Sequence, residues 1–240
     1  MNLQELKAVF KETIKNREGT LGAASYQEVY RQLMPVQQEN LQKYGVGKSI
    51  IVLGLFHSDK AIKSINTRKN GKIDKEAWNI YAGEYHTLNR ILNHAARIVA
   101  EYVKGVPIPA TLEGFATHIN QVEDYYAATV SQRVSAECAG LGWRGKCELI
   151  VTEKKGCALR FASVICPQEL PPGRKVDNQC GECMACLKVC PFLRKKHTLK
   201  NYREQCRRFI VTLRLDADVC GKCVRACYEH WTEQHAVTAR

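Results

Sequence analysis

The sequence lacks any long hydrophobic run. Its longest is the stretch from Ser49 to Phe56, whereas a membrane-spanning helix needs about 20 consecutive apolar residues. Residues 1–18 alternate charged with hydrophobic side chains, unlike the apolar block of a secretory signal peptide. These two absences predict a cytoplasmic protein with no membrane partner.

Acidic side chains are also scarce. The chain has 36 Lys and Arg against 24 Asp and Glu, which gives a formal net charge of +12. Because 45% of its 240 residues are hydrophobic, the chain is expected to fold around one main core, with room for a smaller satellite domain. A basic surface is expected to remain even where metal-bound cysteines carry negative charge.

Cysteine is the residue in excess. A chain with 12 cysteines and no export signal is not expected to form a disulfide framework, because the cytosol keeps thiols reduced. Cysteine clusters in such a protein usually hold metal. Metal binding is therefore the first function that the composition indicates.

The densest cysteine motif, QCGECMACLKVCPF, covers residues 179–192. Its spacing is that of bacterial ferredoxins, in which three close thiolates bind one 4Fe-4S cluster and a fourth binds a second cluster. A second motif at 220–227 lacks one member of this repeat, and Cys206 is the one cysteine between the two motifs. We therefore predict two clusters that exchange ligands. The first ligand set is Cys180, Cys183, Cys186 and Cys227, and the second is Cys190, Cys206, Cys220 and Cys223.

Two alternatives concern the cysteines. Paired C-x-x-C motifs also build structural zinc sites, although zinc has no use for a third cysteine at the same spacing followed by Cys-Pro. Four further cysteines have no chelating spacing and are expected to be small buried hydrophobic residues rather than a third metal site. These are Cys138, Cys147, Cys157 and Cys166.

The first third of the chain predicts helices around one strand. Residues 3–14 have apolar side chains at helical spacing, and 26–43 predict a helix that breaks near Pro35. The Ile- and Val-rich run at 49–56 predicts a strand buried on both faces, which we expect to be central.

The middle of the chain predicts a long helix and a hairpin. Residues 81–104 predict a helix and 131–139 a shorter one. Two β-rich runs flank Lys155-Gly156 and predict a hairpin, and 168–178 have the composition of a linker. Along the long helix, three- and four-residue steps place the following residues in one stripe: Tyr85, Leu88, Leu92, Ala95, Val99 and Tyr102. We expect two domains, a cofactor- or partner-binding domain at 1–168 and the cysteine module at 169–240.

The glycine-rich element AGLGWRGK, residues 139–146, has two interpretations. It satisfies the G-x-G-x-x-G pattern, but it follows a predicted helix and precedes a strand, the reverse of a dinucleotide-binding site. The element is either a helix cap leading into the hairpin or a bare backbone against which a cofactor lies, with Trp143 and Lys146 at its rim.

A basic stretch surrounds Cys206. Residues 192–209 carry seven Lys or Arg residues. They could contact phosphates, dock an acidic donor of the ferredoxin type, or solvate a loop beside two negatively charged clusters.

These motifs together resemble the epoxyqueuosine reductase family. The resemblance is carried by ECAGLGWRGKCELIVTEKKG, CGECMACLKVCP and CGKCVRAC, with KSIIVLGLF and IYAGEYHTLNRIL before them. It implies an α+β fold, with an α/β core similar to nitroreductase and cobalamin-trafficking proteins and a C-terminal ferredoxin-like two-cluster module. It also implies a corrinoid, or alternatively a flavin, bound between the two parts. The residues expected to bind that cofactor are Tyr85, His86, Gly140, Gly142, Trp143, Gly145 and Lys146.

Three features depart from the family pattern. The full-length enzymes have a helical-repeat domain for tRNA after the clusters, whereas this sequence resembles the short double-cluster members. The acidic proton donor of the family would fall near Tyr126, with Asp124 as a neighbour. Tyr228 stands where a proline is expected after the last cysteine.

Three functions follow as hypotheses. The first is an oxidoreductase in which two 4Fe-4S clusters pass electrons from a donor such as ferredoxin or flavodoxin to a bound corrinoid. The second is an electron-transfer or reductive-activation protein that serves a partner and has no substrate of its own. The third is epoxyqueuosine reduction on tRNA. The sequence identifies no catalytic residue.

Overall fold

A computed structural model describes residues 2–111 and 115–238. The strands are β1 (Gly19–Ser25), β2 (Ser49–Phe56), β3 (Arg68–Lys69), β4 (Lys72–Ile73), β5 (Val106–Ile108), β6 (Trp143–Arg144), β7 (Ile150–Val151) and β8 (Leu159–Cys166). The helices are α1 (Leu3–Ile14), α2 (Tyr26–Gln32), α3 (Pro35–Tyr44), α4 (Asp59–Ser64), α5 (Lys75–Val103), α6 (Phe115–His118), α7 (Val122–Ala128), α8 (Gln132–Cys138), α9 (Ala185–Val189), α10 (Pro191–Arg194), α11 (Tyr202–Leu213) and α12 (Lys222–Thr238). The expected mixture of helix and sheet is confirmed. Among the described residues, none of these helices is long and apolar enough to cross a membrane.

The largest sheet is antiparallel, with the strand order β1-β2-β8-β5. Every residue of β2 is buried, which confirms the predicted central strand. The sequence did not predict β1, because its GTLGAAS segment is made of small residues with low β-propensity. It forms a strand because its backbone pairs with β2 along its whole length, from Gly19 opposite Leu55 to Ser25 opposite Ser49.

Most of the predicted helices are confirmed. The break near Pro35 separates α2 from α3, and the proline occupies the first turn of α3, where its missing N–H is harmless. The long helix α5 begins before the predicted start, at Lys75. Tyr102, at the end of the predicted stripe, is 49% exposed. Val103, four residues after Val99, continues the buried face instead.

The predicted hairpin was wrong in its partners. Strand β7 pairs with β6, whereas β8 pairs with β2 and β5, and the chain between them makes a single bridge from Thr152 to Gly156. The reason is burial, since β8 can pair with β2 over its full length and place nearly all of its side chains in the core. Strand β7, with only two residues, is too short to pair with β8 over its full length.

The cysteine-rich segment packs directly on the first part of the chain. One hydrophobic cluster contains Trp78 and Trp143 together with Cys186, Val224 and Trp231. The predicted linker is also anchored, because the N–H of Gly173 donates to the carbonyl of Ala23 at 2.8 Å. The two predicted domains therefore share one core at this interface.

Candidate functional site

The first predicted ligand set lies where residues 178–190 meet α12. The N–H of Cys180 donates to the side chain of Asn178, and the N–H of Cys183 donates to the carbonyl of Cys180, each at 2.8 Å, which closes a tight turn. Cys186 is buried. Contact with Cys147 and burial raise the pKa of the Cys186 thiol, and the nearby Cys227 adds to this effect.

Two glycines press against this set. A Cβ atom on Gly145 would stand 3.4 Å from Sγ of Cys180, and one on Gly156 would stand 3.1 Å from Sγ of Cys227. Gly156 also has a φ of +55°, a conformation that favours glycine. The chain thus leaves bare backbone against the sulfur atoms of two cysteines from distant segments, a cradle that suits an iron-sulfur cluster.

The second predicted set is brought together around α11 and the start of α12. Burial, together with the nearby Cys220 and Cys190, raises the pKa of Cys206 to about 12. Burial, together with the nearby Cys147, Cys220, Cys206 and Cys190, also raises the pKa of Cys223. Metal binding at these thiols would therefore have to displace their protons.

Within residues 2–111 and 115–238, no three Cys, His, Asp or Glu side chains converge on the position of a single metal ion. In a 4Fe-4S cube each thiolate binds a different iron, so its four ligands need not converge on one point.

A cavity of about 470 Å³ adjoins the second set. Cys190, Cys206, Cys220 and Cys223 all lie on its wall. This volume is in the range of about 300–1,000 Å³ that small-molecule sites occupy. The cavity also has aromatic walls, formed by Tyr81, Tyr85, Tyr125, Tyr126, Tyr202, Phe161, Phe192 and Phe209.

Arg160 and Tyr85 face each other in this cavity. The guanidinium carbon of Arg160 lies 4.1 Å from the centre of the Tyr85 ring, and its Nε donates to Oδ1 of Asn89 at 3.1 Å. Its Nη2 is buried and has no hydrogen-bond partner among the described residues. A buried cationic donor in this position suits an anionic or carbonyl group of a bound molecule.

His57 and Glu84 form a buried pair beside Arg160. Nδ1 of His57 lies 3.0 Å from Oε2 of Glu84, which also accepts from the N–H of Ser58 at 2.9 Å. Burial opposes ionisation of Glu84, but these hydrogen bonds prevail and lower its pKa to about 2. Burial lowers the pKa of His57, so the imidazole is neutral near pH 7 although a carboxylate lies next to it.

More arginines lie along the cavity on the side of α11. Arg133 donates to the carbonyl of Glu148 at 2.5 Å, and burial and the nearby Arg203 lower its pKa. Arg207 donates to Glu204 at 2.8 Å and to the carbonyl of Ile119 at 3.1 Å. The cavity is therefore cationic as well as aromatic.

The predicted basic stretch divides into two groups. Lys196 and Arg203 form ion pairs with Glu148 at 2.8 and 3.9 Å, and Arg207 holds the chain before α7, so these three cations have structural roles. The side chains of the other group are exposed. They are Arg194, Lys195, Lys200 and Arg208.

Tyr85 is the predicted cofactor residue that lies on the cavity wall. His86 does not face the cavity, because its Nε2 lies 2.8 Å from the carbonyl of Asp216. Trp143 is buried against Trp231, with ring centres 5.2 Å apart. His86 and Trp143 thus each contact the cysteine-rich segment, at Asp216 and at Trp231.

The glycine-rich element also contacts the cysteine module. Lys146 donates to the carbonyls of Gly181 and Cys183 at 2.6 and 3.0 Å, which fixes the turn of the first ligand set. A Cβ on Gly140 would clash with the backbone of Arg174, and one on Gly142 with the backbone of Val151. The structure thus places this element against protein backbone and the first ligand set, and not on the cavity wall.

The position of the family's acidic proton donor is occupied differently. The Asp124 carboxylate accepts from the N–H groups of Asn120 and Gln121, at 3.0 and 3.2 Å, and caps α7. Tyr126 lies on the cavity wall. Asp124 therefore caps the helix, whereas Tyr126, two residues later, lines the cavity.

Sequence reasoning missed Arg160, Tyr81, Arg133 and Arg203, all of which line the cavity. A signal existed for Arg160, the one charged residue in the apolar run CALRFASVIC. Nothing local distinguishes Tyr81 or Arg133, because their position in the cavity depends on how α5 and α8 pack against the cysteine-rich segment.

Comparison with known proteins relates this arrangement to a family. No model of a known protein family matches the chain. The epoxyqueuosine reductase of Bacillus anthracis is 24% identical over 214 residues, which make up 80% of this chain and 52% of that protein. The epoxyqueuosine reductase of Aliivibrio fischeri is 38% identical over 65 residues, 27% of this chain and 18% of that one. The chain is therefore similar in sequence to epoxyqueuosine reductases.

Solved structures show which proteins share the fold of this chain. The structure of epoxyqueuosine reductase from Streptococcus thermophilus matches with a TM-score of 0.53 at 16% identity, over 95% of this chain and 66% of that one. A catabolic reductive dehalogenase, NpRdhA in complex with 3-bromo-4-hydroxybenzoic acid, matches with a TM-score of 0.61 at 12% identity, over 92% of this chain and 31% of that one. The chain spans about half the length of its Bacillus anthracis relative, 52%.

Proposed function

We propose that this protein is an iron-sulfur oxidoreductase that passes electrons through two 4Fe-4S clusters to a molecule bound in the cavity. The observation that carries the proposal is that Cys190, Cys206, Cys220 and Cys223, the predicted ligands of one cluster, all lie on the cavity wall. A cluster held there would be adjacent to whatever the cavity binds. An electron carrier without a reaction of its own would not need such a cavity.

The residues present suit both clusters. Cys180, Cys183, Cys186 and Cys227 would hold the first beside the bare backbone of Gly145 and Gly156, and the cavity-lining set would hold the second. When bound, the clusters would supply electrons one at a time. The aromatic walls would bind the flat part of a ligand and exclude water, while Arg160 would orient an anionic or carbonyl group.

The resemblance to epoxyqueuosine reductases makes a corrinoid our proposed occupant of the cavity, with a flavin as the alternative. Tyr85 and Arg160 would contact it, because both line the cavity and stack on each other. The reaction we propose is a reductive one of the kind that the relatives' name describes. The resemblance to epoxyqueuosine reductases also makes tRNA a candidate substrate.

The first test is analysis of anaerobically purified, reconstituted protein. We expect about eight irons and eight acid-labile sulfides per chain, since each of two clusters has four of each. A colourless protein that contains zinc, or one with about four irons, would contradict the two-cluster proposal.

The second test measures binding of hydroxocobalamin and of flavin mononucleotide to the same preparation. Arg160→Ala should weaken binding of the true ligand by about tenfold to a hundredfold, the effect of a lost hydrogen bond from a charged group. Arg97→Ala is the matched control, since Arg97 is an exposed arginine that does not line the cavity. If neither compound binds the wild-type protein, the proposed occupant is wrong.

A second candidate function, electron delivery to or from a protein partner, is favoured by the exposed cations of the basic stretch. Arg194 and Lys195 are exposed beside Cys190, and their ends are free to meet an acidic donor. Charge reversal at both residues should slow reduction by ferredoxin at low salt, whereas reversal at the remote Lys7 should not. RNA binding is tested with the same variants, because phosphate contacts predict a steep dependence of RNA affinity on salt.

A further inference from the structure

Two cysteines outside the predicted ligand sets lie side by side in the cavity wall. Sγ of Cys147 is 3.9 Å from Sγ of Cys157. Both residues are buried in the protein, 6% and 3% exposed, and both line the cavity. They meet because the chain between them turns back at the bridge from Thr152 to Gly156.

Each of these thiols also contacts a predicted ligand of the first cluster. Cys147 contacts Cys186, and Cys157 contacts Cys227. The pair therefore lies between the first ligand set and the cavity. The two other cysteines outside the sets are placed differently, because Cys166 is in the core strand β8 and Cys138 ends α8.

We infer that Cys147 and Cys157 are a redox-active thiol pair, which forms a disulfide and is reduced again by electrons from the cluster module. The sulfur atoms would have to move from 3.9 Å to about 2.05 Å, the length of a disulfide bond. The two sulfur atoms already lie side by side in the cavity wall.

The electrons and protons balance in two steps. In the oxidising step, the thiolate of one cysteine attacks an external disulfide and releases one thiol, and the second cysteine then displaces the other thiol. The product is the Cys147–Cys157 disulfide. In the reducing step, two electrons and two protons break this bond and restore both thiols. The electrons come from a low-potential one-electron donor through the clusters, so this step alone rests on the proposed function.

The thiol pair beside the clusters would couple one-electron transfer to two-electron transfer. Iron-sulfur clusters accept and release single electrons, whereas a dithiol holds two. A thiol pair in contact with ligands of one cluster, and on the wall of a cavity that the other cluster adjoins, could collect two electrons for a two-electron reaction.

The test uses the full chain with its clusters, prepared anaerobically. Samples are equilibrated with defined ratios of reduced to oxidised dithiothreitol, denatured in light iodoacetamide, then reduced and labelled with heavy iodoacetamide. Trypsin cleavage after Lys146, Lys154, Lys155 and Arg160 places the two cysteines in separate peptides, CELIVTEK and GCALR. Iron is counted in each sample before denaturation.

We expect both peptides to change together from light to heavy label, with the ratio of oxidised to reduced pair changing tenfold for every ~30 mV. Cys138 and Cys166 should stay light throughout. Cys147→Ser should keep Cys157 light while the iron content stays that of the wild type. After oxidation, titanium(III) citrate should restore the thiols faster in the wild type than in Cys180→Ala, which lacks a predicted ligand of the first cluster.

The inference is wrong if both peptides stay light at every ratio, or if Cys147→Ser loses about half of the iron, which would make Cys147 a ligand. Equal reduction rates in the wild type and Cys180→Ala would also refute the link to the clusters. A wild type with too little iron would instead refute the proposed function, while the labelling result still decides whether the pair forms.

Discussion

Replacing Gly156 with alanine tests whether the bare backbone in this turn is needed by the first ligand set. The residue has a φ of +55°, and an L-residue there costs about 1–2 kcal/mol. Its new Cβ would also stand 3.1 Å from both Sγ and the carbonyl oxygen of Cys227, and such overpacking typically costs about 1–3 kcal/mol. The expected loss is therefore about 2–5 kcal/mol.

Gly71→Ala is the matched control for this substitution. Gly71 has a φ of +76°, but a Cβ there would meet nothing within 4 Å. It should lose about 1–2 kcal/mol from backbone strain alone. Anaerobic thermal unfolding measures both, at roughly 2–4 °C per kcal/mol for a chain of this size, and iron analysis shows whether the first cluster survives.

Crowding of the new Cβ against Cys227 should make Gly156→Ala melt well below Gly71→Ala and retain less iron. Equal melting temperatures for the two variants, with full iron in both, would refute it. In that case Gly156 would be required by its backbone conformation and not by the sulfur beside it.

Further substitutions test the supports of the site. Because the folded-state pKa of Glu84 is lowered from 4.5 to about 2, the wild type should lose about 3 kcal/mol of stability as the pH falls through that window, and Glu84→Gln should lack this loss in a series of melts against pH. Trp78→Phe removes the 2.8 Å hydrogen bond from Nε1 to the carbonyl of Cys220, and an unsatisfied buried carbonyl should cost about 1–3 kcal/mol of unfolding free energy by thermal melting. Cys206→Ala should lower iron from about eight toward about four per chain, whereas Cys166→Ala should not, and equal iron in both would exclude Cys206 as a ligand.

The sequence predicted those parts of the fold that local patterns determine. The Ile- and Val-rich run of β2 and the stripe of α5 each bury one surface, so their periodicity is visible in any single segment. Strand β1 gave no such signal, because its small side chains have little β-propensity and its pairing with β2 determines its structure. The hairpin failed for a related reason, since β8 had a longer and better buried partner elsewhere.

The candidate site shows the same division. Spacing alone predicted which cysteines belong to which ligand set, because cluster ligands follow motifs of defined spacing. The cavity could not be predicted, because Arg160 from β8, Tyr85 from α5 and Arg133 from α8 converge only in the folded chain. The sequence offered Trp143 and Lys146 as the rim of a cofactor site. It did not reveal that Lys146, in the same glycine-rich turn, donates to the backbone of the cysteine loop.

The positions of the two ligand sets imply a direction for electron flow in the proposed function. Cys180 and Cys183 lie in a turn whose neighbours Gly181 and Glu182 are exposed, so a cluster held by the first set would be near solvent. Cys206 and Cys223 line the cavity instead. In the predicted ligand sets Cys190 and Cys227 are exchanged between the two motifs, so each cluster would be held partly by the segment that holds the other. Electrons would enter at the exposed turn, cross the shared segment and leave at the cavity wall, where Arg160 and Tyr85 face the bound molecule.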